Sequence, residues 1–235
     1  MTRRRWIADR VEGHHAFLIG ANAHHLFRVL RAQPGQQFDI AAEGVVRLGT
    51  IMHATANEIQ FHLGEEVARQ VLPEVAVYLS IFKFDRLEWA IEKLTELGVA
   101  RMIPVLAERS AQHLAKAAEA RVERWRKIAK EAAQQARRIS PPEIAAPLKV
   151  PAVTKAAEEC RIILSEVEEA VSLKSSLAGA RPPIALAFGP EGGWTTEELE
   201  LFTSAGWKSV SLGHTILRAE TAAIAAVAVV MAELA

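Results

Sequence analysis

Hydrophobic and polar positions follow a strand-like pattern over roughly the first 70 residues. FLIG and FDIAA are short apolar runs, and VVRLGTIMHATANEIQFHL contains stretches that alternate as in β-strands. AHHLFRVLRAQPG lies between the first two runs, and its apolar residues recur at helical spacing until Pro34 and Gly35. Those apolar residues are Ala23, Leu26, Val29 and Leu30. The pattern predicts a small β-barrel with one short helix.

After Pro73 the pattern changes to strands that alternate with helices. VAVYLSIF, RMIPVLA, RIILSEV, IALAFG and KSVSLG are strand-like, and DRLEWAIEKLTELGV predicts an amphipathic helix that ends just before Gly98. Its apolar side is formed by Leu87, Ala90, Ile91, Leu94 and Leu97. A long helix is predicted over about 113–139, before Pro141 and Pro142. Such alternation predicts an α/β domain with a mostly parallel sheet covered on both faces, and we place the two domains at residues 1–72 and 73–235.

Composition excludes some classes of protein. The chain has 28 basic and 28 acidic residues, so no global field points to a partner. A single cysteine, Cys160, rules out an intramolecular disulfide. The apolar C-terminal segment AAIAAVAVVMAELA is shorter than a bilayer span of ~20 residues and carries Glu233, and the basic N-terminus is not followed by an apolar run of signal-peptide length. We expect a cytoplasmic protein with no membrane segment.

Three predicted strands end in segments that could bind a ligand. Ligands of open α/β sheets bind beyond the carboxyl ends of the strands. The sequence has LSE at 164–166, GPEGG at 189–193 and LGHTILR at 212–218 in such positions. We therefore expect these segments to form one site.

The GPEGG segment has the most unusual chemistry. Thr195 and Glu198 have the spacing of a capping box, so a helix is expected to begin directly after the glycines, which allow a ligand to approach the main chain. Neither a lysine-bearing phosphate loop nor a dinucleotide fingerprint is present. The segment suits adenine edges, ribose hydroxyls or a cationic ligand better than a polyphosphate. The alternative is a tight turn without a ligand.

The segment ILRAETA places Arg218 at the start of the last predicted helix and Glu220 in its first turn. Arg218 is a candidate for ligand binding, and the alternative is an ion pair with Glu191 or Glu220. Glu220 also has a plain explanation, because a carboxylate is favourable at a helix N-terminus. The small residues that follow would allow another helix to pack closely, within the fold or across a dimer: Ala222, Ala225, Ala226 and Ala228.

Basic residues cluster locally although the chain is neutral. The candidates for contact with a nucleic-acid backbone are Arg3, Arg4 and Arg5 at the N-terminus, Arg28 and Arg31 near the short helix, and Arg138 at the end of the long helix. The alternative for the long helix is a solvated face. His24 and His25 have no zinc-like spacing to other ligands, so we expect no metal site.

These motifs together resemble the RsmE family, the uridine N3-methyltransferases of 16S ribosomal RNA, which belongs to the SPOUT class. The resemblance runs over almost the whole chain: RRRW, HHLFRVLRAQPG, FDRLEWAIEKLTELGV, IPVLAERS, FGPEGG and SLGHTILRAETA. It departs from the family where His214 and Thr215 replace the usual proline and arginine, and where QQARR follows the long helix.

The resemblance implies a SPOUT-type α/β domain with a C-terminal trefoil knot, preceded by a small PUA-like β-barrel domain. It further implies S-adenosylmethionine as cofactor, a homodimer formed through the knot, and 16S rRNA or the small ribosomal subunit as partner. Arg218 and Glu166 are the catalytic candidates. The expected cofactor contacts are Leu164, Phe188, Gly189, Pro190, Glu191, Gly192, Gly193, Leu212, Gly213, Ile216, Leu217 and Arg218.

Two other functions remain open from the sequence, besides a nucleotide-dependent α/β enzyme, which the absence of a lysine-bearing phosphate loop disfavours. One is a SPOUT enzyme that methylates a ribose 2′-hydroxyl or another base. The other is a non-catalytic RNA-binding assembly factor that keeps the pocket as a scaffold.

Overall fold

A computed structural model describes residues 4–67 and 72–234. The chain forms two compact units. The first comprises residues 1–71 together with 133–141, and the second comprises residues 72–132 and 142–235.

The first unit is built on a six-stranded sheet with the order β1–β4–β5–β6–β3–β2. Its strands are β1 Arg5–Ile7, β2 Arg10–Glu12, β3 His15–Ile19, β4 Gln37–Ala42, β5 Val45–Ala54 and β6 Glu58–Glu66. All pairs are antiparallel except β1 with β4. The four longer strands lie where the apolar runs predict them, and Leu18, Ile40 and Phe61 from three of them are fully buried in one core. The two three-residue strands were not predicted, because they are too short to show a period.

The short helix of this unit differs from its prediction. An α-helical turn, α1 Ala21–His24, continues as a π-helical turn over His25–Val29. The Leu30 N–H donates to the His25 carbonyl at 3.1 Å, one residue beyond the α-helical spacing. Ala23 and Leu26 face the core as predicted, but the wider turn leaves Val29 62% exposed. Val29 therefore does not share the buried face of Ala23 and Leu26, although its sequence spacing matches theirs.

The second unit contains a seven-stranded sheet in which every strand pair is parallel. Its strands are β7 Val75–Ser80, β8 Arg101–Leu106, β9 Glu143–Ile144, β10 Leu148–Lys149, β11 Cys160–Leu164, β12 Ile184–Phe188 and β13 Lys208–Val210. The order is β10–β8–β7–β12–β11–β13, with β9 beside β8. Leu164 lies opposite both Phe188 and Val210, so β11, β12 and β13 end side by side. This register brings the three predicted loops together.

Helices cover both faces of this sheet, as predicted. They are α2 Phe84–Glu96, α3 Gln112–Gln135, α4 Val150–Val153, α5 Leu173–Ser176, α6 Thr196–Ser204 and α7 Ala219–Leu234. One core contains Leu87 of α2, Trp125 of α3 and Val227 of α7, and the opposite core contains Phe202 of α6 and Trp207. Among the described residues, no helix has the length and apolar character required to cross a membrane.

Helix α3 ends at Gln135 and not near Ile139 as predicted. Arg137 adopts a left-handed conformation with φ of 56°, and its N–H donates to the Gln134 carbonyl at 3.1 Å. The next N–H, of Arg138, donates to the Ala133 carbonyl at 2.8 Å. These two bonds form a Schellman motif, which normally uses glycine at the left-handed position. The sequence offered no glycine or proline there, so the earlier end was not predictable.

Candidate active site

A cavity of about 390 Å³ lies at the carboxyl ends of β11, β12 and β13. Segments 164–167, 188–191 and 210–219 form most of its wall. Of the residues expected to contact a cofactor or act in catalysis, all but one line this cavity. They are Leu164, Glu166, Phe188, Gly189, Pro190, Glu191, Gly193, Leu212, Gly213, Ile216, Leu217 and Arg218.

Gly192 is the residue of that set that does not line the cavity. Its carbonyl accepts a hydrogen bond from Arg109 Nη1 at 2.8 Å, and the same nitrogen lies 3.2 Å from the Trp194 carbonyl. Arg109 follows β8 and thus holds the glycine segment from its other side. Gly192 therefore contributes to the shape of the loop, and its neighbour Gly193 faces the cavity.

Gly193 has the conformation that requires glycine in this segment. Its φ is +69°, and its N–H donates to the Pro190 carbonyl at 2.9 Å to close a tight turn. A Cβ at Gly193 would overlap the Glu166 carboxylate, with its Cδ at 3.2 Å. The absence of a side chain lets the ends of β11 and β12 approach each other closely.

Trp194 fixes the glycine segment to the neighbouring strand. Its indole N–H donates to the Leu164 carbonyl at 3.1 Å, and its ring packs on Gly189. Helix α6 then begins with the predicted capping box: Thr195 Oγ1 accepts from the Glu198 N–H at 3.2 Å, and Glu198 Oε2 accepts from the Thr195 N–H at 3.0 Å. Glu198 Oε1 accepts another bond from the Glu108 N–H at 2.8 Å. Hydrogen bonds to β11, within the first turn of α6 and to the segment after β8 thus fix the end of the glycine segment.

Arg86 is a cavity residue that the sequence did not single out. It lies in the first turn of α2, and its Nη1 is 3.0 Å from Glu191 Oε1. Its Nε is 3.8 Å from Oε1 of Glu220, whose side chain is only 7% exposed. The rule about strand ends could have found it, because α2 follows the carboxyl end of β7.

Arg218 has no such partner. Within 4–67 and 72–234 it makes no ion pair, and its side chain is exposed at the cavity. The alternative that Arg218 pairs with Glu191 or Glu220 is therefore wrong, because both carboxylates face Arg86 instead. Arg218 directly precedes α7, and its carbonyl accepts from the Ala222 N–H at 2.8 Å. A cation is unfavourable at a helix N-terminus, so its position favours an anionic ligand.

The basic residues proposed for RNA contact all belong to the first unit. Arg4, Arg28 and Arg31 are exposed, whereas Arg3 lies outside the described residues. Arg5 donates to the Arg137 carbonyl and lies 3.8 Å from Asp39, so it also anchors β1. Arg138 is half-buried, and burial lowers the pKa of its guanidinium. The exposed arginines are thus stronger candidates for RNA contact than Arg5 and Arg138.

Metal binding finds no support in the part of the chain that the structure describes. It contains no group of three or more histidine, cysteine, aspartate and glutamate side chains placed to hold an ion.

Comparison with known proteins decides the family. Residues 70–231 match the family described as RNA methyltransferase domain, and residues 18–63 match the RNA methyltransferase PUA domain. Ribosomal RNA small subunit methyltransferase E of Synechocystis is 38% identical over 90% of this chain and 71% of its own length. The chain belongs to the ribosomal RNA small subunit methyltransferase E family. The Aquifex aeolicus member is 31% identical over 87% of this chain and 89% of its own length.

Solved structures agree with membership of the methyltransferase E family. A Legionella pneumophila protein described as a methyltransferase in complex with the bound cofactor SAM superposes with a TM-score of 0.82 at 26% identity, over 99% of this chain and 98% of that one. The Neisseria gonorrhoeae methyltransferase E has a TM-score of 0.83 at 23% identity over 100% and 98% of the chains, which shows the shared fold. The predicted fold class, a SPOUT-type α/β domain preceded by a PUA-like domain, is confirmed.

Proposed function

We propose that this chain transfers a methyl group from S-adenosylmethionine to N3 of a specific uridine in the 16S rRNA of the small ribosomal subunit. Membership of the methyltransferase E family supports the reaction class. The single observation that carries the proposal is the convergence of three strand-end segments on one cavity, with the unpaired Arg218 at its edge.

The cavity fits the proposed cofactor in size and chemistry. Its volume of about 390 Å³ lies in the range of small-molecule sites, roughly 300–1,000 Å³. Phe188, Leu212 and Leu217 supply apolar walls for the adenine, and main-chain groups of 189–193 and 212–217 supply polar contacts. Gly213 has a φ of +128°, and no atom lies within 4 Å of the place that a Cβ would take, so a ligand can approach its backbone. The Legionella relative solved with SAM supports the same ligand here.

Bound S-adenosylmethionine supplies a methyl group on a positively charged sulfur. The acceptor N3 carries a proton and lies on the Watson–Crick edge, so the uridine must be unpaired before it reacts. Loss of that proton leaves negative charge on the base oxygens O2 and O4. Arg218, which has no carboxylate partner among the described residues, would stabilise this charge. Glu166, exposed beside Gly193, is the candidate to accept the proton.

RNA binding is assigned to the first unit in this proposal. Arg4, Arg28 and Arg31 are exposed cations that can contact phosphates, whose contribution falls as salt rises. Arg3, Arg5 and Arg138 complete the proposed set. A 16S rRNA substrate also implies a cytoplasmic location.

A C-terminal trefoil knot and a homodimer through it belong to the same proposal. The segment after β13 pairs with the segment after β11, which supports the knot: the Ser211 N–H donates to the Val171 carbonyl at 2.8 Å, and the Leu173 N–H donates to the Ser211 carbonyl at 2.9 Å. Val167 and Ile216 beside the cavity are 71% and 85% exposed, which supports burial against a second copy. Sedimentation of the chain at several concentrations tests the dimer, and a monomer throughout would contradict it.

The Arg218 variant tests the catalytic assignment. Arg218→Ala should lower methyl transfer to 16S rRNA by about 100-fold, the order seen when one charge-stabilising donor is removed. Cofactor affinity, measured by calorimetry, should change much less. Transfer by Arg218→Ala at the parent rate would show that Arg218 has no catalytic role.

A further inference from the structure

Arg86 stands between two carboxylates that come from different elements. Glu191 belongs to the glycine segment after β12, and Glu220 belongs to the first turn of α7. The Arg86 guanidinium reaches both, at 3.0 Å and 3.8 Å. One positive charge is therefore shared by two negative charges, and this group lies against the cavity wall.

Both carboxylates become candidate partners for Arg218 when Arg86 is removed. Glu191 lines the same cavity as Arg218, and Glu220 follows Arg218 by two residues. Glu220 is 5% exposed, and its Oε2 is buried with no hydrogen-bond partner among the described residues. A buried carboxylate that loses its cation gains strongly from any other guanidinium within reach. Arg218 is the other arginine that lines this cavity among the described residues.

We infer that Arg86 is a positioning residue that occupies Glu191 and Glu220, and so keeps the Arg218 guanidinium available for the anionic substrate. This inference rests on the proposed function, because it explains how Arg218 remains without a partner. It also gives the two cavity arginines different roles. Arg86 has its charge satisfied within the protein, whereas Arg218 does not.

The experiment compares methyl transfer by four forms of the full chain at saturating cofactor: the parent, Arg86→Met, Arg86→Lys, and Arg86→Met combined with Glu191→Gln and Glu220→Gln. Arg86→Met should lower kcat about tenfold or more, since Arg218 is drawn to the freed acids. Arg86→Lys keeps one cation and should retain most of the parent kcat. The triple variant has no acid left to attract Arg218, so its kcat should recover at least several-fold over Arg86→Met.

Arg124→Met is the matched control, because Arg124 pairs with Glu88, another residue of α2, at 2.7 Å, and neither residue lines the cavity. It should leave kcat unchanged. If Arg86→Met fails to fold, Arg86→Gln takes its place in the same comparison.

Recovery in the triple variant distinguishes positioning from a purely structural role, which predicts further loss when two more partners are removed. Parent-like kcat in Arg86→Met, or a triple variant no more active than Arg86→Met, would overturn the inference. A parent chain that binds the cofactor but transfers no methyl group would instead refute the proposed function.

Discussion

Replacement of Gly193 by alanine is a sharp test of the cavity, because two independent penalties apply at that residue. Its φ of +69° costs a non-glycine residue about 1–2 kcal/mol. The added Cβ would also overlap the Glu166 carboxylate, so Glu166 must move. Alanine reduces the entropy of the unfolded chain, which returns roughly 0.4–1 kcal/mol. We expect a net loss of about 1–2 kcal/mol in the free energy of unfolding from strain and displacement together.

The control for this change is the adjacent glycine. A Cβ at Gly192 would lie 3.4 Å from the Arg109 side chain, an ordinary contact, and Gly192 has no positive φ. Gly192→Ala should therefore change the free energy of unfolding by less than about 0.5 kcal/mol.

Urea unfolding measures stability, and calorimetry measures the affinity for S-adenosylmethionine. We expect Gly193→Ala to weaken cofactor binding by about tenfold, which corresponds to roughly 1.4 kcal/mol. Gly192→Ala, whose side chain would point to Arg109, should bind within about threefold of the parent. Equal effects of the two substitutions on both stability and affinity would refute the reasoning about the glycine segment.

Two further predictions concern single side chains. Burial and the neighbouring Glu158 carboxylate, 3.2 Å from the hydroxyl, raise the pKa of Tyr78 to about 12, and Tyr78 is the chain's one tyrosine. Ultraviolet titration should thus give a Tyr78 pKa near 12 in the folded protein and about 10 in the urea-unfolded chain. The stability that this shift contributes to folding is complete below pH 10 and is lost as pH rises towards 12. A Tyr78 pKa of about 10 in a protein that circular dichroism shows to be folded would contradict this prediction. Thr195→Ala removes the α6 cap and should cost about 1 kcal/mol in the free energy of unfolding, and an unchanged urea midpoint would show that the cap is unimportant.

Periodicity located the elements that bury one clear face. Helix α2 is an example, since Leu87, Ala90, Ile91 and Leu94 are buried as predicted. The strand-end rule located the cavity for a related reason, because parallel strands in register end at the same edge of the sheet. Both inferences depend on local patterns that a few neighbouring residues carry.

Features that depend on residues far apart in sequence, or on backbone hydrogen bonding, were not predicted. Arg86 acquires its role from Glu191 and Glu220, which lie more than 100 residues away in sequence. The left-handed Arg137 that ends α3 occupies a conformation usually taken by glycine, so no residue signal marks it. The π-helical turn that turns Val29 outwards likewise depends on hydrogen bonding that the apolar spacing does not reveal.

The most direct test of the central claim is to map the methylated atom. Small ribosomal subunits that lack the modification are incubated with the chain and labelled S-adenosylmethionine, and nucleosides of the recovered 16S rRNA are analysed by mass spectrometry. The account predicts label in 3-methyluridine at a single position, and about 100-fold less of it with Arg218→Ala over the same time. Label in a 2′-O-methylated nucleoside or another base, or binding of RNA without any transfer, would contradict it.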